Sequence, residues 1–236
     1  HIYLKDFKSD IEDVILKSCK GGVKKILLPN INLETVSDVL NLSDQYKNIC
    51  YPMLGLHPCY IDENFKEEID KIFLNFNDDI IAVGEIGIDL FKSEHNFNDQ
   101  ADAFRIQCDI AIKKKIPVVI HTRNSIDETI EIVSEFSSEG LRGVFHCFIG
   151  DFNQLRKIID LDFMIGVGGI LTFKNSSLKN IISKVDLQHI ILETDSPYLS
   201  PDPNRGKRNE PFNINFIAEK LSTIHSIPLE TIIKVT

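Results

Sequence analysis

Apolar, β-branched runs recur along the chain, each followed by polar residues and then by a segment whose apolar positions return at helical spacing. Runs at 24–29, 50–56, 80–86, 117–120, 142–148, 163–170 and 189–194 predict seven strands. Most are unbroken rather than alternating, the pattern of strands buried on both faces in a parallel sheet covered by helices. Helices are expected over 10–20, 100–115, 124–138, 152–160, 175–185 and 213–225. The first places Ile11, Val14, Ile15 and Cys19 on one stripe. The second does the same with Ala103, Ile106, Gln107, Ile110 and Ala111, and ends in lysines that suit a helix C-terminus. Asn124 or Ser125, and Asn175 or Ser176, are the expected N-caps of two others.

The C-terminal ends of the strand runs fall at Asn30, His57, Glu85, His121, His146, Gly168 and Asp195, between 22 and 36 residues apart. A βα unit of a (β/α)8 barrel takes about 30 residues. His1 lies 29 residues before Asn30, where an eighth strand would end. A doubly wound sheet of five or six strands would leave units over. The expected fold is therefore an α/β (β/α)8 TIM barrel, a single domain over 1–236, truncated at both ends of the chain.

Composition narrows the class. With 236 residues, 43% hydrophobic, the chain can bury a large core. No apolar run approaches the ~20 residues of a membrane span, and Lys5, Asp6, Lys8 and Asp10 interrupt any signal-peptide pattern. Five cysteines without a Cys-x-x-Cys pair argue against disulfides or a zinc knuckle, and for the reducing cytoplasm. A net charge of −9 disfavours nucleic-acid binding through bulk charge. It does not exclude a nuclease, because bound divalent cations reverse the local sign.

A barrel gathers the C-terminal ends of its strands at one mouth, so His1, His57, Glu85, His121, His146 and Asp195 are expected to share it. Imidazole with carboxylate is the ligand set of Zn, Mn or Fe, and carboxylate-rich versions accept Mg. Such a set suffices for two metals about 3.5–4 Å apart, the arrangement that hydrolyses phosphate esters. Glu85, flanked by apolar residues, must be paired or metal-bound. Strand alternation puts Glu193 on the same side as Asp195. Other residues are assigned ordinary roles. His95 and His225 lie in polar or helical settings, and His189 opens a strand at the wrong end. Cys147 is turned away from His146 as a packed thiol, and Cys59 has no evident partner. Gly166, Gly168 and Gly169 allow close backbone approach. The basic run 205–208 is either a solvated loop or a phosphate contact.

The blocks GLHP at 55–58, GEIGID at 84–89, PVVIHTR at 117–123, HCFIG at 146–150, ETDSPYL at 193–199 and RGKRNEP at 205–211 stand in order along the whole chain. Together with the Gln100, Phe104, Gln107 spacing, they resemble the TatD family of metal-dependent deoxyribonucleases, which are amidohydrolase-like barrels. The resemblance implies two divalent metal ions (Mg, Mn or Zn) held by His1, Glu85, His121, His146 and Asp195, with Glu85 bridging. Here His1 matches the second histidine of the family's His-x-His. The resemblance also implies DNA as substrate, catalysis through Asp195 and Glu85, and His57, Glu193 and Arg205 near the substrate. Asp195 would take the proton of the attacking water. Because the chain is acidic, Arg205, Lys207 and Arg208 are the side chains expected to hold DNA. Another bond remains open on the same scaffold: an amide, a base to be deaminated, or an aminoacyl ester on tRNA. A non-enzymatic scaffold is disfavoured by the presence of Glu85, His121, His146 and Asp195. No membrane or stable protein partner is expected, and the chain is read as a monomer.

Overall fold

The computed structural model describes residues 1–91 and 96–236, so His95 lies outside the described residues. By internal contacts the chain parts into two compact units. A central unit holds 25–145 and 160–163, and a terminal unit holds 1–24, 146–159 and 164–236.

In the central unit the apolar runs become parallel strands. β1 (Ile26–Leu28) pairs with β2 (Cys50–Pro52), and β3 (Val83–Asp89) pairs with β4 (Val118–Arg123), which pairs with β5 (Gly143–Phe145). A parallel bridge from Leu54 to Val83 carries the order from the β2 side to β3. The helices between them are α2 (Val36–Gln45), α3 (Phe65–Phe73), α4 (Phe97–Lys114) and α5 (Ile126–Glu135). One core cluster joins Val36, Leu54, Leu56, Ile61, Phe65, Ile69, Ile72, Ile80 and Ala103, with Ile106 and Ile110 of α4 packed against it. Burying this many branched side chains, at about 25 cal/mol per Å² of apolar surface, is the main force holding α3 and α4 in place.

In the terminal unit β6 (Met164–Val167) pairs in parallel with β7 (Ile190–Leu192). Its helices are α1 (Ile11–Lys20), α6 (Phe152–Asp160, whose last residue belongs to the central unit), α7 (Leu178–Ile182), α8 (Ile214–His225) and α9 (Leu229–Val235). α8 packs on β7 and on the turn Gly169–Thr172, and buries Ile217 and Leu221 there.

Two expectations need correction. Glu85 and His121 do not end their strands. β3 runs on to Asp89 and β4 to Arg123, with Gly87 opposite His121 and Asp89 opposite Arg123. Buried charges close an apolar run on paper, but here their partners lie on the adjacent strand, so the ladder continues past them. Ser125 stands at the N-cap of α5, yet its hydroxyl donates to Ile88 O (2.6 Å) and accepts the Arg123 N–H (3.1 Å). It ties β3 to β4 rather than capping the helix. Among the described residues, α2, α3 and α9 lie outside the expected set.

Candidate metal centre

The geometry starts from a shift in strand register. Between Val83 and Ile86 the β3–β4 pairing slips, and the Glu85 N–H donates to Asn30 O at 3.0 Å. Such an irregularity re-aims the side chain it carries. Glu85 is 3% exposed, and its Oε1 lies 3.0 Å from His121 Nδ1 and 3.5 Å from His57 Nε2. On the far side of the ring, His121 Nε2 lies 3.1 Å from Asp89 Oδ2. Asp89 also accepts the Phe91 N–H at 3.0 Å and the Cys59 thiol at 3.3 Å.

Two glutamines on one face of α4 hold the backbone that presents these groups. Gln100 accepts the Asp89 N–H at 2.8 Å and donates to Asp89 O at 3.3 Å. Gln107 does the same for Leu56, at 2.7 and 3.1 Å, and so fixes the residue before His57. Both side chains are buried, and each amide satisfies two main-chain groups that would otherwise be stranded away from water. Gly87 completes the frame. Its φ of +134° and the 2.2 Å that would separate an added Cβ from His121 O admit no side chain.

The roles of the two rings follow from these bonds. The Cys59 N–H donates to His57 Nδ1 at 3.1 Å. A backbone amide only donates, so the proton of the neutral ring is on Nε2, and His57 faces Glu85 as a donor. His121 lies between two carboxylates, its Nε2 3.1 Å from Asp89 Oδ2 and its Nδ1 3.0 Å from Glu85 Oε1. A proton or a cation belongs on that line. The ligand atoms of His57, Glu85 and His121 all lie within 4.8 Å of one another, which is metal-site spacing. The donor set fits a divalent cation, with Glu85 and His121 as ligands and His57 Nε2–H beside them.

The terminal unit carries imidazole–carboxylate pairs of its own. His1 Nε2 lies 3.4 Å from Asp195 Oδ1, and His1 Nδ1 meets the Tyr3 hydroxyl at 3.0 Å. His146 Nδ1 lies 3.7 Å from Glu193 Oε2, and Glu193 Oε1 accepts the Cys147 N–H. Gly166 makes room for that carboxylate, since a Cβ there would stand 2.6 Å from Glu193 Oε2. Asn209, fully buried, donates to Thr194 O (2.6 Å) and Tyr198 O (2.7 Å) and so clamps the loop around Asp195.

Comparison with known proteins decides the family. The family model described as "TatD related DNase" matches residues 1–236. The chain belongs to the TatD family. The Escherichia coli protein named uncharacterized metal-dependent hydrolase YcfH is 31% identical, over 96% of this chain and 85% of its own. The zebrafish (Danio rerio) putative deoxyribonuclease tatdn3 is 28% identical, over 100% and 91%. The crystal structure of the Escherichia coli TatD homologue YjjV superposes with a TM-score of 0.91 at 28% identity, covering 100% of this chain and 92% of that one. This TatD protein is accordingly a metal-dependent hydrolase with the amidohydrolase-like α/β barrel fold that its strand spacing predicts.

Set against the residues expected from the sequence, the TatD chain brings Glu85 and His121 together and adds His57, expected only near substrate. His146 lies with Glu193 and His1 with Asp195. Arg205 is exposed, its guanidinium 4.3 Å above the Phe173 ring. Arg208, expected to hold DNA, is instead consumed internally. It forks onto both Asp10 oxygens at 2.9 and 2.6 Å and reaches Glu210 Oε1 at 3.2 Å. Cys59, read as lacking a partner, has one in Asp89. Cys147 is only partly buried, and its backbone amide donates to Glu193 Oε1. Asp89 and Asn209 escaped notice, although alternation from Glu85 puts Asp89 on the same strand face.

Proposed function

We propose that this TatD protein hydrolyses phosphodiester bonds in DNA. One observation carries the reading. Buried Glu85 faces His121 Nδ1 at 3.0 Å and the Nε2–H of His57 at 3.5 Å, and the three groups have metal-site spacing, so one carboxylate organises a cation site and a hydrogen-bond donor side by side. The zebrafish relative's name, putative deoxyribonuclease, supports DNA as the polymer. Glu85 and His121 would hold a divalent cation, and the chemistry it would supply there is Lewis acidity toward water and the phosphoryl group.

The chain's own groups do the rest. His57 Nε2–H donates to a non-bridging phosphate oxygen. In the terminal unit, His1 with Asp195 and His146 with Glu193 are separate imidazole–carboxylate pairs, either of which would take a further cation, and Asp195 would be the base for a water held beside it. Glu193 holds the His146–Cys147 segment in place. Arg205, exposed and supported on Phe173, pairs with a substrate phosphate. Among the described residues no helix is long and apolar enough to cross a membrane, and no disulfide joins the cysteines. Both features suit action in the cytoplasm.

The test is a substrate panel. Metal-loaded protein is offered end-labelled DNA, a cyclic amide and an aminoacyl-tRNA, and release of each product is followed. Cleavage of DNA alone is the expected result. Turnover of the amide or the ester without DNA cleavage would move the activity to that bond.

A further inference from the structure

We propose that Asp89 is a positioning residue that sets the tautomer of His121 and thereby turns its Nδ1 lone pair toward the cation site. The proposal rests on the reading that Glu85 and His121 hold a divalent cation. Asp89 is 1% exposed, and a carboxylate so placed acts only as an acceptor. Its Oδ2 faces His121 Nε2 at 3.1 Å while Glu85 Oε1 faces Nδ1 at 3.0 Å; a cation shared by Glu85 and Nδ1 requires the ring proton on Nε2, where Asp89 is placed to accept it. The carboxylate has no freedom to turn. Oδ1 is held by the Phe91 N–H, and the Asp89 backbone is gripped on both sides by Gln100. A carboxylate behind a ligand imidazole is the usual way a protein orients such a ring, and its loss typically costs about 10–100-fold in metal affinity.

The geometry separates positioning from packing through two substitutions. In Asp89→Asn, the amide oxygen stays on the Phe91 N–H, a fixed donor. The amide NH2 then faces His121 Nε2 and forces the ring proton onto Nδ1, the atom meant for the cation. An amide in place of a carboxylate behind a catalytic imidazole gives the same wrong tautomer in serine proteases. Asp89→Ala removes the partner altogether and leaves the ring to choose. Positioning therefore predicts that Asn is the worse replacement. A bolt that merely holds the Phe91 turn predicts the opposite, because Asn keeps the volume and the Phe91 bond and Ala loses both.

The experiment uses the full chain stripped of metal. Mn²⁺ affinity is measured by calorimetry, Co²⁺ binding by its d–d absorption, and folding by thermal unfolding. The expected affinity loss is about 10-fold for Asp89→Ala and about 100-fold for Asp89→Asn, with a changed Co²⁺ spectrum in the Asn variant. Wild-type affinity in both variants, or Ala weaker than Asn, overturns the positioning role alone. Should the Asn variant fail to fold, a loss below threefold in Asp89→Ala overturns it equally. If the wild-type chain takes up neither Mn²⁺ nor Co²⁺, the metal reading itself falls and the proposal with it.

Discussion

Cys59 fixes the tautomer of His57 through its backbone: the Cys59 N–H meets His57 Nδ1 at 3.1 Å and leaves the ring proton on Nε2, 3.5 Å from Glu85 Oε1. On the proposed reading His57 is thereby a donor beside the Glu85–His121 pair rather than one of the ligands. His57→Ala should lower kcat/KM by about 100-fold, the cost of losing one preorganised donor, while Mn²⁺ affinity stays within about threefold of wild type. Calorimetry and steady-state kinetics on the same preparation check this. A parallel loss of affinity and rate would make His57 a ligand.

Gly166→Ala probes the terminal unit's carboxylate. The added methyl would lie 2.6 Å from Glu193 Oε2 and 2.9 Å from His146 Cα, so Glu193 must leave its position. The expected result is at least a 10-fold fall in kcat together with a lower thermal midpoint, because Glu193 and the His146 backbone must both give way and a ~1 Å misplacement at a site costs rate heavily. An unchanged kcat would show that Glu193 is not needed where it stands.

The Arg208 fork gives a pH signature. Its hydrogen bonds hold the Asp10 carboxyl below the usual carboxylate range, and Glu210 is held low as well: burial pushes it up, but the bonds from Lys17 and Arg208 outweigh that. A carboxylate with a depressed folded pKa binds its proton more readily when unfolded. The stability it contributes is therefore present above the unfolded value, about 3.9 for Asp, and is lost as pH falls through the lower folded value. Arg208→Ala should lower the melting temperature by a few degrees at pH 7, and the gap to wild type should close as pH falls through the lowered values of the two carboxyls. Melting curves across pH 3–8 test this; a gap that persists at low pH would mean that packing over Phe7, 4.4 Å below the guanidinium, dominates.

Arg208 is thus unavailable to substrate, which sharpens the expectation for DNA affinity. Within the basic run 205–208, Arg205 and Lys207 stay exposed and are the side chains left to meet phosphates. About two neutralised phosphates give a slope of log K against log salt near −2. Arg205→Ala should weaken binding to all sequences alike, because a phosphate contact carries no base information. A salt titration at saturating metal measures both, and a slope steeper than about −4 would place the DNA on another surface.

The parallel strands were legible because burial on both faces leaves unbroken apolar runs, and the period of βα units then follows from counting. α2 was not, since half of its ten positions are Ser, Asp or Asn, which read locally as turn residues. α9, seven residues long, offers too few turns to show a stripe. At the site, Glu85 and His121 stood out because charged residues interrupt apolar strands. Their neighbours did not. Cys59 acts through its amide, which no side-chain pattern reveals, and the fate of Arg208 depends on Asp10, nearly two hundred residues away. Asp89 was within reach, since alternation from Glu85 along GEIGID turns it to the same face.

The central claim is that Glu85 makes DNA cleavage depend on a bound divalent cation. Its most direct test titrates Mn²⁺ into metal-stripped wild-type protein and Glu85→Gln, and follows cleavage of end-labelled DNA against Mn²⁺ bound. Wild-type cleavage should rise from zero in step with occupancy. Glu85→Gln should bind Mn²⁺ at least about 100-fold more weakly, beyond the range typical of outer partners, and should leave the DNA intact while keeping its thermal midpoint. Cleavage by the stripped protein, or near wild-type cleavage by Glu85→Gln at saturating Mn²⁺, would contradict the account.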